Sequence, residues 1–464
     1  MNTSIRASFC NRLAQVRPSL VHRSFHERPL LVESASGHYI TLDSGKRILD
    51  GCGGAAVSCL GHGHPEVAEA MVKQIQAVGY VHTAAYTTRA AEDLADLLVD
   101  GHPGGLCKAF LLGSGSEATD GAMKMARQYF FEKGEHQRQH YITRRQGYHG
   151  NTIGSMSISN NASRLVPYRD ILMSNVSYVS PCYAYRDQGN LSEPEYVAKL
   201  AQELEDEFQR IGPEKVIAFM AETIGGATSG CLVPVPGYLK AMKEVCRHHG
   251  ALFILDEVMC GMGRCGSLFA WQAEGDSIEV APDIMTTGKG LGGGYAPIAA
   301  ILATQDVISI LSSGSGAFCH GHTYQAHPVC SAAALAVQTI IRRDNLVARC
   351  AEIGEMLLAK LKAKFAGEPH VGDVRGRGLF VAVEFVKDKK SKRALPPSLS
   401  FGPRVQHRAL DLGVAVYPGK GTIDGISGDH VLIAPSFTIS DFEIVTIVER
   451  LHEAYLDVVK ELLN

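Results

Sequence analysis

Along the chain, apolar positions gather into four short runs, at residues 108–112 (KAFLL, apolar from Ala109), 216–221 (VIAFMA), 251–255 (ALFIL) and 297–303 (PIAAILA). Runs of this length, apolar at successive rather than alternate positions, predict strands buried on both faces. Between them the period changes. Ala118, Ala122, Met123, Met125, Ala126 and Tyr129 recur at helical spacing, and residues 195–208 and 238–248 also read as helices. Strands separated by helix-length segments predict a largely parallel sheet with helical crossovers, an α/β core. Beyond residue 330 comes a long helix-like stretch at 331–364, then "VGDVRGRGLFVAVEFV", a charged surface loop at 387–398, "VAVYPG" and "HVLIAPSFTIS". These pieces predict a smaller α+β unit, joined by the N-terminal "GHYITLDSGKRILD", whose "DSGK" reads as a hairpin turn. The expected division is an extension at 1–25, an N-terminal part of the small domain at 26–70, a large domain at 71–330 and the C-terminal small domain at 331–464.

In parallel sheets ligands gather beyond the carboxyl ends of strands, so the residues after each run carry the chemistry. The first run leads through Gly113, Ser114, Gly115 and Ser116 into a helix. Such a junction offers free N–H groups at the positive end of a helix dipole, which suits a phosphate. Two other readings fit the same residues. Ser114-x-x-Glu117 matches a capping box that needs no ligand, and Gly113-x-Gly115-x-x-Ala118 matches a dinucleotide fingerprint. The second run ends at Glu222 and the third at Asp256. A strand-end carboxylate can serve as a cap or in a structural ion pair, but three polar features at one sheet edge point to a site.

Lys289 lies among Gly288, Gly290, Gly292, Gly293 and Gly294, just before the fourth run. A phosphate-binding loop of the Walker kind is excluded, because Gly290 follows the lysine and Asp283 stands where the first glycine belongs. A lysine in this setting suggests close approach of a ligand to the backbone, and its amine can form a Schiff base with a carbonyl. A phosphate cradle, a strand-end carboxylate and such a lysine are the parts that pyridoxal 5′-phosphate requires.

Composition narrows the partners. The chain has 464 residues, 45% hydrophobic and 20% charged, with a net charge of -3, which gives no electrostatic reason to expect nucleic acid or an acidic membrane surface. No run is long enough to span a membrane. The 12 cysteines lack C-x-x-C pairs, so reduced thiols are expected. His62 and His64, and His320, His322 and His327, sit in glycine-rich turns where hydrogen bonding is the expected role, and no metal is expected. The first 26 residues hold Arg6, Arg12, Arg17 and Arg23 and no acid, a composition similar to a mitochondrial transit peptide, but with poor amphipathic regularity. The cytoplasm is the expected compartment and the mitochondrial matrix the alternative.

The motifs "GSGSEATDGAMK", "YHG", "LDEVMCGMGRCG", "TTGKGLGGGYAP" and "GHTYQAHP" together resemble the class III (omega- and ornithine-type) aminotransferases of pyridoxal-phosphate fold type I. The resemblance runs from about His22 to Glu453. It implies a mostly parallel seven-stranded sheet in a large domain beside a smaller α+β domain. It implies that Lys289 forms the Schiff base and then moves the substrate Cα proton, and that Asp256 partners the pyridine nitrogen. Gly115 and Ser116 would bind the phosphate, Tyr148 and Val258 would pack on the two ring faces, and Glu222 would gate the pocket. Thr323 would reach the phosphate of a neighbouring subunit in a homodimer with shared active sites. The reaction implied moves an amino group from an amino acid or amine to a keto acid or aldehyde. Decarboxylation, aminomutation or epimerisation on the same scaffold is the alternative, and a nicotinamide-dependent dehydrogenase a distant one.

The sequence also departs from the family pattern. Thr223 follows Glu222 where proline is common, and Met259 replaces a glutamine. No arginine lies between Arg408 and Arg450, the region that supplies a carboxylate-binding arginine in many relatives, which leaves Lys420 or an arginine elsewhere for that task.

Overall fold

The computed structural model describes residues 19–275 and 277–463. The N-terminal strands β1 (Val32–Ser36), β2 (Tyr39–Leu42) and β3 (Arg47–Asp50) form an antiparallel meander. Its "DSGK" segment is a tight turn: Gly45, at φ +83°, donates to the Leu42 carbonyl, and Leu42 donates to that of Lys46. The central sheet follows with β4 (Leu106–Leu112), β5 (His140–Arg144), β6 (Val176–Val179), β7 (Val216–Glu222), β8 (Leu252–Glu257), β9 (Ile284–Thr287) and β10 (Ala299–Thr304). Their spatial order is β4-β10-β9-β8-β7-β5-β6. Every pairing is parallel except those of β10, which runs against both β4 and β9. This is the expected α/β architecture with one reversed strand.

The reversal matters for the site. Six strands end on one edge, and β10 begins there, so its approach segment and the carboxyl ends of its neighbours converge. The order also removes the dinucleotide reading. A dinucleotide-binding unit places the strand after the glycine turn and helix next to the first strand, whereas β5 here lies between β7 and β6, far across the sheet from β4.

Alternation along the strands sorts side chains to the two faces. Phe219, Ala221, Phe253 and Leu255 join the core under the helices Glu193–Ile211 and Tyr238–His248. Ala218, Met220, Leu252 and Ile254 join the opposite core, with Ala118, Ala122, Met125 and Ala126 of the helix Gly115–Glu132. Continued to the strand ends, the same alternation turns Glu222 and Asp256 toward the helix Gly115–Glu132 and Glu257 away from it.

The remaining strands are β11 (Val371–Arg377), β12 (Phe380–Phe385), β13 (Val414–Ala415), β14 (Tyr417–Lys420) and β15 (Asp429–Ile433). They make an antiparallel sheet β11-β12-β15-β14, while β13 pairs in parallel with β3 and so ties the C-terminal region to the N-terminal meander. Leu357, Leu361, Phe365, Val383, Phe385, Phe401 and Tyr455 belong to the core beside this sheet. The stretch 331–364, read as one helix, is two: Pro328–Arg343 and Leu346–Phe365. The break falls at Asn345, whose φ of +53° is a left-handed conformation that asparagine tolerates better than most residues. Most of the N-terminal extension, residues 1–18, lies outside the described residues. Among the described residues no helix is long and apolar enough to cross a membrane.

Candidate active site

At the edge where the strands end, a cavity of about 280 Å³ is walled by Gly113, Ser114, Gly115, Ser116, Tyr148, His149, Glu222, Asp256, Val258, Met259, Lys289 and the β10 approach Ala296, Pro297 and Ile298, among others. The structure thus brings together every predicted site residue except Thr323. That residue is exposed, and its carbonyl accepts the Tyr80 hydroxyl.

The helix Gly115–Glu132 opens on Ser114, whose Oγ accepts the Glu117 N–H at 3.3 Å. The expected capping box is displaced by one residue, because the Glu117 carboxylate reaches the Gly113 N–H at 2.9 Å rather than that of Ser114. The N–H groups of Gly115 and Ser116 have no intrahelical acceptor and belong to residues of the cavity wall. Gly115 is required sterically, since a Cβ there would come within 2.7 Å of Val258 Cγ1. Ser116 Oγ accepts the Asn151 N–H at 2.9 Å and thereby holds the loop that carries Tyr148 and His149 against the helix.

Asp256 is almost fully buried at the end of β8. His149 Nδ1 donates to its Oδ2 at 2.8 Å, while the Val258 N–H at 2.9 Å and the Thr286 hydroxyl at 3.2 Å donate to Oδ1. A carboxylate only accepts, which assigns the His149 proton to Nδ1 and leaves Nε2 to the Thr143 hydroxyl at 3.3 Å. His149 and Thr286 were not singled out from the sequence, although His149 stands in "YHG" and its imidazole was legible there. Thr286 was hidden because β9 is too short and too polar at its end to register as an apolar run.

Glu222 pairs in register with Asp256 on the neighbouring strand. Its side chain accepts the N–H groups of Gly226 at 2.8 Å and Tyr148 at 3.3 Å. Burial pushes its carboxyl above the ordinary value and the Asp256 charge adds to this, against the opposing pull of His149 and Arg144. Thr223 uses both of its donors: its N–H meets the Asp256 carbonyl and its hydroxyl meets Glu257 Oε1 at 2.8 Å. A proline would provide neither. Met259 fills the space beside Gly226, where a Cβ would lie 2.9 Å from its sulfur.

Lys289 follows β9 at φ +42°, a strained left-handed conformation for a residue with a Cβ. It is half-buried, and among the described residues no side chain or carbonyl hydrogen-bonds its Nζ. Burial holds the ammonium below its ordinary pKa despite the nearby charges of Asp256 and Glu222. The glycines around it have a partly different origin from the one expected. Added Cβ atoms at Gly292 and Gly293 would press on the Ala296 carbonyl at 2.6 Å and on Cys59 Sγ at 3.1 Å, so contacts within the chain account for these two.

Among the described residues no arginine lines the cavity. Lys420, on β14, is exposed and donates to Ser400 Oγ at 3.0 Å, away from the cavity wall. Among the described residues no cluster of histidine, cysteine and acidic side chains is arranged to hold a metal.

Compared with known proteins, residues 21–455 match the sequence family described as "Aminotransferase class-III". The chain belongs to that family. An uncharacterized aminotransferase of Schizosaccharomyces pombe is 47% identical over 96% of this chain and 96% of its own length. A thermostable (S)-enantioselective omega-transaminase from Thermomicrobium roseum superposes with a TM-score of 0.88 at 33% identity, covering 99% of each chain. An amine transaminase from an uncultivated Pseudomonas species, in its PLP-bound form, superposes with a TM-score of 0.87 at 30% identity, over 96% of this chain and 99% of its own. The protein is a class III aminotransferase that uses pyridoxal 5′-phosphate. The cavity suits that group: its wall holds the open helix N-terminus at Gly115 and Ser116, the buried Asp256 carboxylate and the Lys289 amine, which among the described residues has no hydrogen-bond partner.

Proposed function

We propose that the amino group is transferred through Lys289, with Asp256, Gly115, Ser116, Tyr148, Glu222 and Val258 holding the cofactor. The observation that carries this assignment is the Lys289 amine, unbonded and held below its ordinary pKa by burial, on the wall it shares with Asp256. Bound pyridoxal 5′-phosphate supplies an aldehyde and an electron-withdrawing ring. The lowered pKa leaves more of the Lys289 amine neutral, as both covalent attachment and proton acceptance require. Lys289 then accepts the substrate Cα proton. Asp256, oriented by His149, Thr286 and the Val258 N–H, would partner the ring nitrogen and favour a proton there. The first-turn N–H groups of Gly115 and Ser116 would hold the phosphate, Tyr148 and Val258 would pack against the ring, and Glu222 would gate the pocket.

Borohydride reduction followed by peptide mapping tests the assignment: a pyridoxyl label on Lys289 is expected, and a label elsewhere or none removes it. A screen of amino acids and amines against keto acids and aldehydes, followed at the cofactor absorbance, then finds the donor and acceptor. We further assign the active form to a homodimer. Tyr80, Tyr86, Phe131 and Tyr324 are large exposed hydrophobics, Tyr80 and Tyr324 touch edge to face, and the neighbouring Thr323 is exposed as a residue serving a second subunit must be. Light scattering at the mass of one chain would remove this assignment. The two-domain division with boundaries near residues 70 and 330 and a cytoplasmic location, with the mitochondrial matrix as alternative, complete the reading; a fluorescent fusion to the full chain distinguishes the compartments.

A further inference from the structure

A keto acid brings a carboxylate into a cavity whose ionisable wall, apart from Lys289, is dominated by the carboxylates Glu222 and Asp256. Once Lys289 is engaged in the chemistry, such a substrate needs another cation. The region 409–449 contains no arginine, and Lys420 is turned to Ser400. We propose that Arg164, on the short helix Ala162–Leu165, is the residue that binds the substrate carboxylate in this enzyme. This assignment rests on the aminotransferase reading and adds the class of acceptor to it.

Three observations converge on Arg164. Its guanidinium carbon lies 4.7 Å from the ring centroid of Tyr148, part of the cavity wall, while the side chain as a whole is exposed. Among the described residues no carboxylate pairs with it, whereas Arg145, Arg210 and Arg343 are each held by a glutamate. Finally, the C-terminal loop of residues 421–428 folds onto the same place. The Gln146 side-chain amide donates to the Ile423 carbonyl, and a Cβ at Gly425 would come within 2.6 Å of the Ala162 nitrogen. Within the arginine-free region 409–449, this loop therefore lies against the helix that carries Arg164.

The chemistry fits the residue type. A guanidinium matches the two oxygens of a carboxylate with a planar fork, which a lysine cannot do. Its contact with the Tyr148 ring is weak at an exposed site and easily exchanged for a charged partner. With no carboxylate among the described residues to release, Arg164 can stay on the Tyr148 ring when an aldehyde is the acceptor and turn to the substrate carboxylate when a keto acid is.

The test uses the holoenzyme with one amine donor and two acceptors, pyruvate and butanal, of which only the first carries a carboxylate. Arg164→Ala is expected to raise KM for pyruvate by about 10- to 100-fold, the usual loss for a charged hydrogen-bonded partner. The ratio of kcat/KM for pyruvate to that for butanal falls by the same factor, and Arg164→Lys recovers part of it. Calorimetric titration with propionate, which cannot react, is expected to show binding to the wild type and its loss in Arg164→Ala. An unchanged acceptor ratio in Arg164→Ala overturns the proposal, as does a wild type that aminates butanal but no keto acid. Borohydride reduction that leaves no pyridoxyl label on Lys289 overturns the proposed assignment of the site, and this proposal with it.

Discussion

Two buried clusters of charge lie in different parts of the molecule and do different things. One lies between β11, β12 and the helix Ala184–Asp187: Arg375 Nη1 bonds Glu384 Oε2 at 2.6 Å and Asp373 Oδ2 at 2.9 Å, while Arg186 Nε bonds Glu384 Oε1 at 2.9 Å. The Tyr183 hydroxyl also donates to Glu384, and Arg375 donates to the Ser229 and Gly230 carbonyls. Burial alone would push the Glu384 carboxyl up, but Arg375 and Arg186 together hold it below its ordinary value. None of these side chains lines the cavity at the strand ends. The other cluster is Asp256, Glu222 and Lys289. There burial prevails at Glu222 and Lys289, shifting each toward its neutral form, and among the described residues the Lys289 amine has no hydrogen-bonding partner. The lesson is that a buried charge by itself does not mark a site. A cluster whose donors and acceptors are all matched holds structure together, and one left with unmet valence beside a cavity is prepared for a ligand.

The largest consequence of this difference concerns Lys289. Lys289→Ala is expected to lower transamination by more than about 10⁴-fold, because it removes both the covalent attachment and the proton acceptor, with little change in unfolding temperature. Glu384→Gln should do the reverse. It leaves two half-buried arginines short of a countercharge and costs about 3–5 kcal/mol of stability in denaturant unfolding, while kcat per bound cofactor stays at the wild-type value. Comparable stability losses from both substitutions would erase the distinction between the clusters. Asp256→Asn keeps the shape of the site but removes its charge, so kcat should fall about 10²- to 10³-fold, the usual loss of one prearranged electrostatic partner.

A subtler test uses Glu257, the residue after Asp256 but on the opposite face of β8. It is fully buried and accepts from Thr223, Ala270 and Trp271, yet burial pushes its carboxyl up from 4.5 to about 7. A carboxyl raised on folding binds its proton more tightly in the native state, so its stability contribution is complete below pH 4.5 and lost as pH rises through about 7. Unfolding temperature should therefore decline across that window, and Glu257→Gln should flatten the decline relative to the wild type. An identical pH profile in the two proteins would show that Glu257 does not titrate there.

Legibility followed burial. Strands β4, β7, β8 and β10 were visible as apolar runs; in β7 and β8 every residue is buried, so both faces select for apolar side chains. Strands β5, β6 and β9 were not visible. His140 and Arg144 interrupt the first, the second is largely half-buried at the sheet edge, and Thr286 and Thr287 end the third in polar groups that the fold buries completely. Lys289 and Asp256 could be read because a lysine among glycines and an acid after an apolar run are rare locally. His149 and Thr286 were missed as partners of Asp256 because they come from other strands and loops, and nothing in their own neighbourhoods marks the contact.

The sequence by itself determined the α/β class, the turn after β4, the strand-end acids and the family, since each depends on short-range pattern or on residues that must be present as types. Only the tertiary structure decided that β10 runs backwards, that Asp256 and Glu257 face opposite sides of one strand with opposite duties, and that Arg164 lies beside the loop 421–428. Those facts depend on which distant segments come into contact, and pairing across a sheet or a domain boundary is set by the packing of the whole chain.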